Sequence, residues 1–211
     1  MGIGERKLLV WLPRPEGLPQ FSPQARIAMG CFFRRLEQGM CIRIPCTKQM
    51  RCRGTWLYES LTRDHRAEWR VLYRIEHDFI VIGEVLQARP TLEMPSFDSW
   101  RALVEYDGSP EHPQACKWTR GDFVDFLELT DAEVGLVDIR LALARRLQHV
   151  RCDREWTQSD MAGELGTSQS RIARMEDPDP SVSIELLVKS LLALGASREE
   201  LGAVIAGSPV A

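Results

Sequence analysis

The stretch of sequence that decides the C-terminal fold is TQSDMAGELGTSQSRIARME, residues 157–176. Thr157 and Ser168 stand where a side-chain hydroxyl can accept a hydrogen bond from the first turn of a helix. Gly166, between them, tolerates the left-handed backbone of a tight turn. The pattern predicts one helix from Thr157 to about Leu165, a turn, and a second helix that begins after Ser168.

The apolar residues of this stretch recur at the spacing of helices that share a core. Ala162 is small at a point where two helices must approach closely. The start of the second helix is polar, from Gln169 to Arg171, with Arg174 one turn further on. This is the spacing of a helix-turn-helix, whose second helix meets base edges in the major groove; a plain helical hairpin is the alternative. The predicted core residues are Met161, Leu165, Ile172 and Met175.

The same stretch resembles the lambda-repressor-type (XRE) helix-turn-helix. The segments WTRGDFVDFLELT, LVDIRLALARRL and DPSVSIELLVKSLLAL extend the resemblance over about residues 117–206, to the XRE subgroup found as HigA-type antitoxins. The resemblance implies an all-α antitoxin-like, DNA-binding domain over residues 118–211. The motif positions that carry it are Gln158, Ala162, Gly166, Gln169 and Ile172.

The resemblance also implies where DNA is bound. It places Gln158 and Gln169 at base or backbone contacts, and a Gln amide can bridge N6 and N7 of adenine. Arg171 and Arg174 are expected to contact phosphates or guanine. One recognition helix reads only a few base pairs, so a homodimer on operator DNA is expected. The full set of expected DNA-binding residues is Thr157, Gln158, Ser168, Gln169, Ser170, Arg171 and Arg174.

The N-terminal half carries strand-like runs and one helix signal. Residues 7–12 predict a short strand, and Ser22 with Pro23 begins a predicted helix that ends near Gln38. Residues 40–54 are basic and predicted to be irregular. Three runs rich in β-branched and aromatic residues follow, which predicts an α+β domain with an antiparallel sheet and a helix, ahead of the all-α helix-turn-helix domain. These runs are residues 55–61, 68–75 and 79–86.

This half resembles the RelE/HigB-type toxins over about residues 5–92, through FSPQARIAMGCFFRRLEQG, LYESLTRD, WRVLYRI and FIVIGEVLQAR. Such toxins are small ribonucleases, many of which cut messenger RNA in the ribosomal A site. The resemblance implies a RelE-like domain over residues 1–90, with the ribosome and mRNA as partners. Arginine suits a phosphate because its planar fork binds two oxygens. The catalytic residues implied are Tyr58, Arg63, Arg70 and Arg89.

The sequence departs from that toxin pattern in three places. Ser60 and Leu61 follow the Tyr-Glu pair where the family commonly has an Arg, the last strand lacks a pair of lysines, and Glu84 replaces a His. Two alternatives stay open: a ribosome-dependent endoribonuclease inhibited or attenuated in the intact chain, and a catalytically dead toxin fold used for assembly or sensing. For Arg70, the alternative to a phosphate contact is a cross-strand ion pair with Glu59 or Glu84.

Charge changes sign along the chain. Residues 1–90 carry 15 basic and 9 acidic residues, a net of +6, whereas residues 91–139 carry 3 and 11, a net of −8. The proline-rich residues 91–117 predict a linker with a short helix near residues 97–106. We therefore expect a natural toxin–antitoxin fusion whose acidic segment covers the basic face. The tether would raise the effective concentration to about the millimolar range.

Composition argues against several other classes of protein. No apolar run approaches the roughly 20 residues that span a bilayer. The N-terminus lacks a signal-peptide pattern, so a cytoplasmic protein without a membrane partner is expected. The cysteine cluster Cys41, Cys46 and Cys52 lacks the close pairs of a zinc site. Neither a metal nor a cofactor is expected.

Overall fold

The computed structural model describes residues 7–11, 21–39, 47–63, 68–88, 97–106, 119–120, 123–177, 179 and 181–207. The chain divides into two compact units, Met1–Leu129 and Thr130–Ala211. The first unit combines a sheet with helices, and the second is helical in its described part. This confirms the predicted order of an α+β fold followed by an all-α fold. Among the described residues, no helix has the length and apolar character needed to cross a membrane.

The first unit is built on a six-stranded sheet with the order β2-β3-β4-β5-β1-β6. Neighbouring strands from β2 to β5 are antiparallel, as predicted, but β1 pairs in parallel with β5. The sheet is therefore mixed. Its elements in chain order are β1 (Leu8–Trp11), α1 (Pro23–Glu37), β2 (Thr47–Cys52), β3 (Thr55–Arg63), β4 (Glu68–Ile75), β5 (Phe79–Ala88), α2 (Phe97–Glu105), β6 (Thr119–Arg120) and α3 (Phe123–Leu127).

Helices cover both faces of this sheet. On one face, Phe32 of α1 makes an edge contact with Tyr73 of β4, with 5.6 Å between ring centroids. On the other face, Leu103 of α2 shares a buried cluster with Leu72 of β4 and Val81 of β5. Helix α2 lies close to β5 because Gly83 has no side chain there. A Cβ atom on Gly83 would stand 2.6 Å from Cγ of Leu103.

A buried arginine holds the C-terminal end of α2 on the sheet. Arg74 of β4 is 5% exposed, and its guanidinium donates to the carbonyl oxygens of Leu103 (2.6 Å) and Tyr106 (2.8 Å). The same guanidinium pairs with Glu76 at 2.7 Å. The last carbonyls of a helix lack partners within the helix, so a cation placed there is stabilising. The helix predicted near residues 97–106 is thus docked on the sheet.

Residues 119–120 and 123–129 also pack within the first unit, although the sequence analysis grouped them with the C-terminal domain. Thr119 of β6 pairs with Trp11 of β1. The Phe126 ring of α3 stacks on the Trp11 ring, with 3.6 Å between centroids. This hydrophobic contact joins the segment to the sheet edge.

The second unit contains five described helices: α4 (Asp131–Asp153), α5 (Gln158–Glu164), α6 (Gln169–Glu176), α7 (Ile184–Ala193) and α8 (Arg198–Ile205). Each helix follows a Ser or Thr whose hydroxyl accepts a backbone N–H of the first turn. The five helices share one core, whose buried members include Leu143, Leu147, Met161, Ile172, Met175, Leu187 and Leu191.

Replacing Gly83 with Ala should destabilise the first unit by about 1–3 kcal/mol, because the new methyl group overpacks against Leu103. Urea unfolding of the intact chain would measure the change. Gly135 in α4 is the matched control, since a Cβ atom there meets nothing within 4 Å. Gly135→Ala should stabilise the second unit by about 0.5–1 kcal/mol. Equal effects of the two substitutions would contradict the close approach of α2.

Candidate nucleic-acid interface

Helix α5 begins with a capping box. The Thr157 hydroxyl accepts the backbone N–H of Asp160 at 3.2 Å, and the Asp160 carboxylate accepts the backbone N–H of Thr157 at 2.8 Å. The Thr157 hydroxyl also donates to that carboxylate at 2.7 Å. These hydrogen bonds to the charged form lower the pKa of Asp160 below its ordinary value of 3.8. The sequence predicted Thr157 as a cap, but the part played by Asp160 was missed.

The turn and the second helix follow the sequence prediction closely. Gly166 has a φ of +59°, in the left-handed region. The N–H of Thr167 donates to the carbonyl of Ala162 at 2.8 Å. Ser168 then caps α6, its hydroxyl accepting the N–H of Arg171 at 3.3 Å. This turn places α6 across α5, with Met161, Ala162, Ile172 and Met175 in the shared core.

The outer face of α6 is polar and exposed. Gln169, Ser170, Arg171 and Arg174 are exposed, whereas Ile172 on the same helix is fully buried. No hydrogen bond or ion pair with another described residue engages the Arg171 or Arg174 guanidinium. The Ser170 hydroxyl bonds, among the described residues, only to the neighbouring Ser168 hydroxyl, at 3.1 Å. The face therefore presents two uncompensated cations and short polar groups, as a recognition helix does.

A chain of hydrogen bonds connects the two predicted glutamines to the interior. Nε2 of Gln169 donates to Oε1 of Gln158 at 2.7 Å, and Nε2 of Gln158 donates to Oε2 of Glu176 at 2.9 Å. Arg151 of α4 holds the Glu176 carboxylate through Nε (2.5 Å) and Nη2 (3.1 Å). The bond to Glu176 raises the pKa of Arg151. Sequence reasoning missed Arg151 and Glu176, which are 25 residues apart.

The structure separates the two predicted catalytic side chains that it describes. Arg70 is the register partner of Leu61, whereas Tyr58 is the partner of Tyr73. Residues an odd number apart in a strand point to opposite faces, so Arg70 and Tyr58 lie on opposite faces of the sheet. Tyr58 stacks on Tyr73 with 5.3 Å between ring centroids. The Arg63 side chain and the whole of Arg89 lie outside the described residues.

Arg70 has a partner in the adjacent strand. Its Nη1 lies 3.3 Å from Oε1 of Glu59, which is 8% exposed. This is one of the two ion pairs that the sequence offered as the alternative to a phosphate contact. The Arg70 charge is therefore compensated within the sheet, on the face that α2 packs against.

No metal centre is found in the described part of the chain. No three His, Cys, Asp or Glu side chains come together there as ligands would. Among the described cysteines, Cys31, Cys52 and Cys152 form no disulfide. Cys41 and Cys46, which belong to the cluster considered above, lie outside the described residues.

Comparison with known families matches residues 142–204 to a helix-turn-helix domain. The match runs from the second half of α4 into the last turn of α8 and includes the whole of α5, α6 and α7. It supports the XRE-like interpretation and indicates a DNA-binding transcription regulator. The comparisons with curated proteins and with solved structures gave no match.

The capping box should make the second unit pH-dependent. The folded pKa of Asp160 is lowered, so its stabilisation is complete above the ordinary value of 3.8 and is lost as the pH falls through the folded pKa. Asp160→Asn should therefore lower the unfolding midpoint in urea at pH 7, and the difference from the wild type should shrink in acid.

Thr157→Val is the matched variant for this test, because it removes the hydroxyl but keeps the backbone N–H that Asp160 accepts. It should weaken the same pH dependence without abolishing it. Parallel pH profiles for the wild type and Asp160→Asn would contradict the assignment.

Proposed function

We propose that this protein is a sequence-specific DNA-binding repressor that acts on its own operator as a homodimer. The observation that carries the proposal is the exposed face of α6, where Arg171 and Arg174 have no partner among the described residues. The helix-turn-helix match over residues 142–204 supports it. Two recognition helices related by a two-fold axis would read half-sites about one helical turn apart. We expect a protein with this function to be cytoplasmic.

Replacing both Gln169 and Arg171 with Ala should weaken specific binding by about 30-fold or more, because each lost base contact is worth roughly 1–3 kcal/mol. The operator would be selected from random duplex DNA with the intact chain, and affinities measured by fluorescence anisotropy at fixed salt. Lys189→Ala also removes a cation from the second unit, but on α7, where Lys189 pairs with Glu185. It should change affinity only slightly. Unchanged operator affinity of the double variant would contradict the placement of the interface.

For the first unit, we propose a toxin-like fold that no longer cleaves mRNA and serves assembly or sensing. The resemblance to RelE/HigB toxins is supported by the element order, in which β1 and α1 precede the antiparallel strands. Loss of cleavage is supported by the pair between Arg70 and Glu59, both of which belong to the first unit. Removing the second unit would leave that pair in place. Tyr58, on the other face, cannot assist at the same phosphate.

The alternative is a ribosome-dependent endoribonuclease that an antitoxin-like second unit holds inactive. The tether favours it, since an attached inhibitor acts at about millimolar effective concentration. In this case the toxin fold would be active once released.

Expression of residues 1–129 in bacteria separates these two possibilities. The fragment ends at Leu129 because Phe126 stacks on Trp11 and belongs to the first unit. We expect no growth arrest from this fragment, from its Arg70→Ala version or from the intact chain, with folding checked by circular dichroism. Arrest by the fragment that Arg70→Ala relieves would instead establish an active nuclease.

A further inference from the structure

We infer that Glu176 is a positioning residue: through Gln158 it sets the amide orientation of Gln169, and so strengthens the preference of the interface for adenine at the base that Gln169 faces. The inference rests on the proposed DNA-binding function. Glu176 cannot itself meet DNA, because its side chain is only 6% exposed and is held by Arg151. Its influence on recognition must therefore pass through the glutamines.

The first step is that Glu176 can only accept hydrogen bonds. Arg151 donates to both carboxylate oxygens of Glu176, in the geometry of an arginine–carboxylate pair. A carboxylate that is ionised has no proton to donate. Gln158 must therefore turn its amide nitrogen toward Glu176, which is the observed contact of 2.9 Å. The opposite orientation would bring the Gln158 carbonyl oxygen against a negative charge.

The second step is that the orientation of the Gln158 amide determines the orientation of the exposed Gln169 amide. With its nitrogen on Glu176, Gln158 presents its carbonyl oxygen to Gln169. The amide nitrogen of Gln169 donates to this carbonyl oxygen at 2.7 Å. Gln169 is exposed at the start of α6. One N–H and the carbonyl oxygen of Gln169 then remain for a ligand. We call the chain from Glu176 through Gln158 to Gln169 the relay. Along it, the orientation of each amide is set by its preceding hydrogen-bond partner.

The third step is the match to a base edge. In the major groove adenine offers the N6 amino donor and the N7 acceptor, which suit one acceptor and one donor on Gln169. Guanine offers two acceptors, O6 and N7, and cannot satisfy the Gln169 carbonyl oxygen. Reversing the Gln169 amide would exchange its donor and acceptor positions, and adenine would lose its advantage. Glu176 disfavours that reversal, because the Gln158 amide can donate to the carboxylate in only one orientation.

The test begins with duplex DNA selected from a random library by the intact wild-type chain. The base that Gln169 faces is the position at which Gln169→Ala loses its base preference. At that position the wild type should favour adenine over guanine by about 5- to 150-fold, the range for one bidentate contact. Replacing adenine there by 7-deazaadenine, which lacks N7, should remove most of the advantage.

Glu176→Gln should lower this preference by about 2-fold, because a neutral amide can accept from or donate to Gln158, so both orientations become available and only about half of the molecules hold the one that suits adenine. Gln158→Leu should have the same effect while leaving the Arg151–Glu176 pair intact, and it serves if Glu176→Gln does not fold. Glu200→Gln is the matched control. It weakens another pair between helices, Arg146–Glu200 at 3.2 Å, without touching the relay. Gln at this position can still complete the capping box of α8.

The ratio of affinities for adenine and guanine distinguishes positioning from general stability. A ratio lowered by about 2-fold in Glu176→Gln and Gln158→Leu, with the wild-type ratio kept in Glu200→Gln, would support the relay. A uniform loss of affinity with an unchanged ratio would overturn it and leave Glu176 a structural residue. A wild-type preference for a base other than adenine would also overturn it. Failure to select any DNA sequence would instead overturn the proposed function.

Discussion

The bidentate pair between Arg151 and Glu176 is the contact on which the arrangement of the helix-turn-helix depends. It joins the end of α4 to the end of α6 inside the second unit, with side chains 14% and 6% exposed. Removing one partner of such a pair leaves an uncompensated charge, which typically costs about 3–5 kcal/mol. Arg151 also donates to the carbonyl of Trp156, just before α5. One guanidinium thus sets the positions of both helices of the motif.

Arg74 has a comparable role in the first unit, where it satisfies the last carbonyls of α2. Because of this contact, part of the proline-rich stretch 91–117 is a component of the sheet domain and not a simple spacer. Trp11 of β1, next to the edge strand β6, has a similar role through its stacking on Phe126. Both contacts join residues far apart in the chain, so the first unit includes segments well beyond its antiparallel strands.

Local sequence signals predicted the second unit well, since caps at Thr157 and Ser168 and the turn at Gly166 act within a few residues. Strand β2 was missed because four of its six residues are exposed and polar or charged side chains dominate it, so no apolar alternation marks it. The parallel pairing of β1 and the role of Glu176 were missed for another reason. Each depends on a partner 25 or more residues away, which local patterns do not encode.

The two units use arginine in opposite ways, and this difference bears on which unit meets nucleic acid. Arg171 is exposed, so a phosphate or base can bind it without displacing a protein partner. Binding a phosphate at Arg70 would draw it away from Glu59, which is 8% exposed and would be left without this cation in a poorly solvated position. A penalty of about 3–5 kcal/mol for that unpaired carboxylate would offset much of the gain from a phosphate contact. Polyanion binding is therefore favoured at α6 and opposed at the Arg70 face, unless a partner also supplies a cation for Glu59.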